Sequence, residues 1–81
     1  MRVQVHFYSY FKDLTGCAVT SVELPPATTI AGLLGQLSER FPRFGEMERC
    51  LLIAVGVDYQ DRTYVIQEGD EISLFPPVQG G

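Results

Sequence analysis

With 81 residues, 46% of them hydrophobic and 20% charged, the chain has the size and composition of one small folded domain, not of a disordered segment. Its net charge of −4 argues against nucleic-acid binding, because the six lysines and arginines form no basic block. No apolar run approaches the roughly 20 residues of a membrane-spanning helix and no signal peptide is evident, so we expect a cytoplasmic protein.

The first quarter of the chain predicts a β-hairpin that contains a short helical turn. Apolar and polar residues alternate over residues 3–8, the period of a half-buried strand. Residues 10–14 form a helical turn that ends at Gly16, and alternation resumes over residues 19–24 until two prolines end the second strand. The residues expected on the core side of the first strand are Val3, Val5 and Phe7.

One amphipathic helix is predicted next, with Thr29 as its N-cap. Five apolar residues fall on one stripe of this helix, and they are Ile30, Leu33, Leu34, Leu37 and Phe41. Pro42 is expected to end the helix, because a residue that precedes proline avoids the helical region. We expect a loop at residues 45–49.

The second half predicts three more strands. The apolar run 51–55 indicates a central strand that is covered on both faces, or on one face with a partner on the other. A turn leads to a short strand at 63–66, and a second turn, with positive φ expected at Gly69, leads to a strand at 71–75. The fold class is therefore α+β, a mixed sheet of about five strands wrapped on one main helix, with the first and last strands side by side.

The two cysteines and the single histidine predict no metal or catalytic site. Cys17 and Cys50 are far apart, without CxxC spacing, and we expect both to be buried or half-buried. His6 belongs to an alternating strand, where a surface or edge position is expected.

After the domain, residues 1–75, comes a tail at 76–81 whose composition favours an extended path. Pro76 and Pro77 lock φ near −65°. Six residues at about 3.3 Å each reach roughly 20 Å. Gly80 and Gly81 keep the end of the tail slim, as a carboxylate that enters a partner's pocket requires.

The chain resembles the molybdopterin synthase small subunits, a family of ubiquitin-like β-grasp sulfur carriers. The resemblance is carried by segments 11–16, 29–34, 52–55 and 68–72. It is carried most specifically by Phe75-Pro76-Pro77-Val78-Gln79-Gly80-Gly81, since Gly-Gly alone also ends other carriers and modifiers. Gly56 departs from the family, which often has asparagine there.

The resemblance implies a non-catalytic subunit that donates sulfur. An adenylyltransferase similar to ubiquitin-activating enzymes would use ATP and Mg²⁺ to adenylate Gly81, and a persulfide donor would convert it to a thiocarboxylate. The tail would then enter the large subunit and deliver sulfur to a cyclic pyranopterin monophosphate, in a complex of two small and two large subunits. No cofactor is expected on this chain itself.

The same resemblance gives roles to individual residues. Gly81 would carry the sulfur and Gly80 would permit close approach. Partner-binding residues would be Pro76, Pro77, Val78 and Gln79 of the tail, together with Phe75, Phe7 and Lys12 of the domain. Two of these assignments have alternatives, since Phe7 also fits a core position and Lys12 also fits a solvated surface charge.

Three other functions remain open from the sequence. A thiamine-pathway sulfur carrier would share the fold and Gly-Gly but is usually shorter and lacks Pro-Pro-Val. A protein modifier would join Gly81 to a target lysine by the same activation chemistry. A plain β-grasp interaction domain would tolerate deletion of Gly81, which the carrier and the modifier would not.

Overall fold

The computed structural model describes residues 1–47 and 50–77, with Met47 described by its backbone alone. Within these residues the elements follow one another in the order β1 (Arg2–Phe7), α1 (Phe11–Thr15), β2 (Val19–Glu23), α2 (Ile30–Arg40), α3 (Pro42–Met47), β3 (Leu52–Val55), β4 (Asp58–Tyr59) and β5 (Glu71–Phe75). The expected positive φ is present at Gly16, which ends α1, and at Gly69, which precedes β5.

The strands form one mixed sheet in the order β2-β1-β5-β3-β4. β1 pairs antiparallel with β2 and parallel with β5, while β3 is antiparallel to both β5 and β4. The predicted α+β class and the adjacency of the first and last strands are confirmed. Because β5 lies between β1 and β3, the chain leaves the sheet at Phe75 from a central position.

A single apolar cluster joins one face of the sheet to the helices. Val3, Val5 and Phe7 of β1 belong to it, as do Ile72 and Leu74 of β5. The predicted stripe of α2 supplies its other side, with Ile30, Leu33, Leu34 and Leu37 each 0–1% exposed. The Thr29 hydroxyl accepts a hydrogen bond from the Gly32 amide at 3.3 Å, as expected of an N-cap.

The prediction of a loop at residues 45–49 is wrong for residues 45–47, which belong to α3. Pro42 follows α2, which ends at Arg40, and is itself the first residue of α3. Proline is well tolerated at the first position of a helix, because the amide that it lacks has no partner there. α3 is held by Phe44, which is fully buried in the core. Residues 48–49 lie outside the described residues.

The strand expected at 63–66 is also wrong, because the fourth strand is Asp58–Tyr59 and residue 65 makes only an isolated bridge to Thr29. Carbonyl groups of this segment and of the preceding Arg62 accept hydrogen bonds from the start of α2 instead. The Ile30 amide donates to the Tyr64 carbonyl, and the Ala31 amide to the Arg62 carbonyl, each at 3.0 Å. The segment therefore satisfies amide groups that a helix N-terminus leaves without partners.

Three smaller expectations have mixed outcomes. Cys17 is half-buried as expected, whereas Cys50 is exposed, which corrects the prediction for that residue. His6 is half-buried on β1, an interior strand of the sheet, so it is not an edge residue. Leu52 of β3 is 39% exposed, whereas Ala54 on the same face is buried, so the outer face of this strand is open at Leu52 and covered at Ala54.

Candidate functional site

The sheet has an outer face, opposite the apolar core, that is defined by the strand register. His6 lies beside Ser73, and Ser73 in turn lies beside Ala54. One step further along β5, Phe75 lies beside Leu52. Because neighbours in register share a face and side chains alternate along each strand, these residues point away from the buried set.

Tyr8 extends this outer face next to the end of β5. Its amide donates to the Leu74 carbonyl at 3.2 Å, which continues the parallel pairing beyond β1. Its ring stacks on Phe75 with centroids 4.6 Å apart and planes 14° from parallel. His6 stacks in turn on Tyr8, with centroids 6.5 Å apart. The side chain from which the tail begins is therefore held in a row of rings.

An exposed apolar surface surrounds the start of the tail. We call it the docking face and define it by Tyr8, Leu52, Tyr59 and Phe75. Tyr8 is 42% exposed, Leu52 39% and Tyr59 73%, whereas Phe75 is half-buried. Apolar residues scattered singly on a surface are ordinary, but a contiguous group around a functional segment is typical of an interaction site.

Tyr59 and Leu52 each line two hollows. The tail-root hollow has a volume of about 480 Å³, and its lining includes Tyr8, Tyr10, Leu52, Tyr59, Phe75 and Pro77. The edge hollow has a volume of about 550 Å³ and shares Leu52 and Tyr59 with the first. Its other lining residues include Leu51, Ile53, Gln60 and Asp61. Tyr59, the more exposed of the two shared residues, is thus part of the wall of both recesses, which a partner's side chains can fill.

The predicted site residues are distributed between this surface, the core and the tail. Phe75 lies on the docking face, and Pro76 and Pro77 follow it, both half-buried. Phe7 is 1% exposed and belongs to the core, so its expected place in the docking patch is wrong. Its side chain points to the helix side because it pairs in register with the buried Leu74.

Lys12 is exposed on α1, and its role in docking stays a prediction. The tail assignments at Val78, Gln79, Gly80 and Gly81 lie outside the described residues.

Tyr8, Leu52 and Tyr59 were missed as site residues by the sequence analysis. A signal for Tyr8 was present, since it has the same parity as the outward residues Gln4 and His6. Leu52 was concealed in a continuous apolar run, which does not reveal the exposed side. Tyr59 belongs to a two-residue strand too short to show any periodicity.

Three polar interactions of the described residues involve none of the four docking-face side chains. His6 Nε2 lies 3.5 Å from Glu71 Oε1. The Thr63 hydroxyl and then its amide, the latter at 2.8 Å, donate to Asp61 and lower the pKa of that carboxyl. The Tyr64 hydroxyl donates to Asp70 Oδ2 at 2.9 Å, and this hydrogen bond, followed by burial, raises the pKa of Tyr64.

Residues 1–47 and 50–77 contain no group of three or more histidine, cysteine or acidic side chains arranged to hold a metal ion. In the same ranges, none of the helices has both the length and the apolar character needed to cross a bilayer.

Comparison with known proteins gives one family match. The model of the ThiS family matches residues 5–81. A curated protein of Aedes aegypti, the "Molybdopterin synthase sulfur carrier subunit", is 32% identical over 90 residues, which cover 100% of this chain and 90% of the relative.

Two solved structures share the fold at comparable identity. A putative molybdopterin converting factor subunit 1 from Pyrococcus furiosus is 27% identical with a TM-score of 0.87, covering 96% of this chain and 99% of the other. The complex of subunits 1 and 2 of the molybdopterin-converting factor from Helicobacter pylori contains a chain that is 26% identical with a TM-score of 0.72, with full coverage of both chains. The ubiquitin-like β-grasp fold is therefore confirmed.

Proposed function

Because the chain belongs to the ThiS family, we propose that it is the sulfur carrier subunit of a molybdopterin synthase, acting in molybdenum cofactor biosynthesis. The observation that carries this proposal is the position of the last strand. β5 occupies the middle of the sheet and ends at Phe75 on the docking face, from which Pro76 and Pro77 lead toward the Gly-Gly end. A partner that covers the docking face is thereby placed next to the tail.

Gly81 supplies the reacting carbon in this proposal. A carboxylate is a poor acyl donor, because its leaving group would be oxide. An adenylyltransferase partner joins the Gly81 carboxylate to AMP and releases pyrophosphate from ATP, with Mg²⁺ bound to the phosphates. A persulfide sulfur attacks the acyl carbon and AMP leaves. A thiol of the donor then cleaves the resulting sulfur–sulfur bond, so that a thiocarboxylate remains on Gly81 and the donor becomes a disulfide.

The large subunit of molybdopterin synthase is the second partner. The thiocarboxylate tail enters its pocket and donates sulfur to the cyclic pyranopterin monophosphate, and two rounds build the dithiolene of molybdopterin. Proton transfers are assigned to the partners, because the described residues that line the tail-root hollow include no carboxylate, histidine or lysine side chain. A cytoplasmic location accords with this use of ATP and thiol chemistry.

The docking face provides the surface by which this small carrier can bind larger partners. Tyr8 and Tyr59 offer rigid aromatic surface with polar ends, the kind of residue that dominates binding energy at interfaces. The two hollows beside Tyr59 add concave surface on which a partner's apolar side chains can be buried. A partner that covers this face also covers the start of the tail, so docking brings the tail close to the partner's pocket.

Intact mass of the full chain tests the proposal. The protein is incubated with the adenylyltransferase, ATP, Mg²⁺ and a persulfide donor, and its mass is expected to rise by the replacement of one oxygen by sulfur. A variant without Gly81 is the matched control and should keep its mass. Conversion of the pterin precursor by the thiocarboxylated chain with the large subunit then identifies the pathway. An unchanged mass together with lysine-linked adducts would replace the carrier function by a modifier function.

A further inference from the structure

We propose that Tyr8 is a positioning residue for the tail, which holds the ring of Phe75 and so sets the direction in which Pro76 and Pro77 leave the sheet. The proposal rests on the proposed function, since it concerns delivery of the Gly81 sulfur. It gives Tyr8 a role in the free chain, separate from any contact with a partner.

The restraint on Phe75 comes from both neighbouring strands. On the β1 side Tyr8 stacks on it nearly parallel, at 4.6 Å and 14°. The backbone of Tyr8 is itself fixed by its amide hydrogen bond to the Leu74 carbonyl. On the β3 side Leu52 is the register partner of Phe75. A ring flanked across both strands has little freedom to change rotamer, because cross-strand neighbours lie only about 5 Å apart at Cβ.

The direction of the tail is decided at this residue. Proline restricts the residue before it to extended backbone and fixes its own φ, so Phe75, Pro76 and Pro77 form a stiff unit. The direction of that unit relative to the sheet is given by the backbone of Phe75, the last residue of β5, and the stacked ring helps to keep this end of the strand in place. The two prolines span roughly 7 Å, so a 20° change at the root moves the end of Pro77 by about 2 Å. Displacements of about 1 Å already cost up to roughly 100-fold in rate when reacting atoms must meet.

Tyr59 provides a matched comparison on the same face. It is the most exposed of the four docking-face residues at 73%, and it lines the same tail-root hollow. Within the described residues its ring makes no stacking or edge contact with Phe75. Loss of Tyr59 therefore removes docking surface and leaves the Phe75 restraint in place, whereas loss of Tyr8 removes both.

The first experiment separates positioning from docking by single-turnover sulfur transfer from the thiocarboxylated full chain to the large subunit with bound precursor. The variants are Tyr8→Ala, Tyr8→Phe and Tyr59→Ala. Tyr8→Ala should lower the rate at saturating large subunit by about tenfold or more. Tyr8→Phe keeps the stack and should retain the wild-type rate. Tyr59→Ala should raise the half-saturating concentration and leave the saturated rate unchanged.

The second experiment needs no partner and no sulfur. Residual dipolar couplings of the Val78 and Gln79 amides are measured in the isolated full chain, with and without each substitution. Tyr8→Ala should change these couplings, while Tyr8→Phe and Tyr59→Ala should preserve them. Tyr8→Leu, which keeps apolar area without an aromatic stack, repeats the test if the alanine variant does not fold.

Three outcomes would overturn the proposal. In the first, Tyr8→Ala changes only the half-saturating concentration of the large subunit and not the saturated rate. In the second, the dipolar couplings of Val78 and Gln79 are the same with and without the Tyr8 ring. In the third, Tyr8→Phe transfers sulfur as slowly as Tyr8→Ala. Failure of the carrier function is recognised separately, because the wild-type chain would then acquire no thiocarboxylate while the couplings could still respond to Tyr8.

Discussion

Phe7 of β1 and Phe44 of α3 meet edge to face, with ring centroids 5.6 Å apart. Phe44 makes a second contact of this kind with Phe11 of α1, at 5.1 Å. One side chain from α3 thus connects the sheet with the first short helix. A six-residue helix is too short to be stable by itself, so its presence depends on this buried ring.

Replacement of Phe44 by alanine should therefore destabilise the whole domain. Loss of a fully buried phenylalanine costs about 3–5 kcal/mol, from lost burial and from the cavity that remains. A chain of 81 residues has a total stability of roughly 4–12 kcal/mol. Urea unfolding followed by circular dichroism should show a midpoint far below that of the wild type.

Two further variants keep this prediction testable if Phe44→Ala does not fold. Phe44→Leu retains most of the apolar volume and should lose less, on the order of 1 kcal/mol. Tyr59→Ala, at an exposed site, should stay within about 0.5 kcal/mol of wild type. A Phe44→Ala domain as stable as Tyr59→Ala would contradict the role assigned to α3.

Two helical glycines should respond to alanine in opposite directions. A Cβ at Gly35 of α2 would have no atom within 4 Å, so Gly35→Ala should stabilise the domain by about 0.5–1 kcal/mol. A Cβ at Gly45 of α3 would lie 2.9 Å from Ser38 Cβ and 3.3 Å from Ser38 Cα, where the helices approach closely. Gly45→Ala should cost about 1–3 kcal/mol through overpacking. Thermal unfolding of both variants checks the opposite signs, and a stabilising Gly45→Ala would refute the close contact.

The sequence correctly predicted those elements for which the hydrophobic periodicity and the residues at the ends indicate the same structure. The α2 stripe, its Thr29 cap and the alternation in β1 and β5 each had several residues supporting one assignment. Helix α3 was not predicted, and a loop was expected at residues 45–49 instead, because Pro42 indicates the end of α2 while proline also begins helices. The prediction of a strand at residues 63–66 is wrong because this segment bonds to the start of α2, and no local sequence pattern indicates a contact with residues so distant in the chain.

The tail part of the candidate site could be predicted from the sequence, whereas the docking face could not. Phe75 and the prolines were identified from a motif, and motifs need no tertiary information. The residue that lies beside Phe75 on the β1 side depends on the strand register. Phe7 and Tyr8 are one position apart, so a register shift of one residue would exchange them. A shift of one residue exchanges the two faces of a sheet. The core side predicted for Phe7 is confirmed by its pairing with Leu74, and that side is incompatible with the docking role also expected of it.

The Thr63 hydroxyl should control the titration of Asp61. Its hydrogen bond is the main cause of the lowered pKa of this carboxyl, so Thr63→Ala should raise that pKa toward its ordinary value of 3.8. Because the folded pKa is the lower one, the stabilisation is fully present above pH 3.8 and is lost as the pH falls through the folded pKa. Carboxyl ¹³C shifts measured against pH check this. Thr63→Ser keeps the hydroxyl and should titrate like wild type, and equal values in all three proteins would exclude the hydrogen bond as the cause.

Tyr59 should be the docking-face residue whose loss weakens partner binding most cleanly. Its exposed ring lines both the tail-root hollow and the edge hollow, so Tyr59→Ala removes part of the wall of each. Truncation of such an aromatic side chain typically costs about 1.5–2 kcal/mol, so affinity for the large subunit should fall by roughly 10- to 30-fold. Val57 is 96% exposed at the β3–β4 turn and lines neither hollow, so Val57→Ala is the matched control and should bind as the wild type does. Calorimetric titration distinguishes the two, and equal affinities would place the interface elsewhere on the domain.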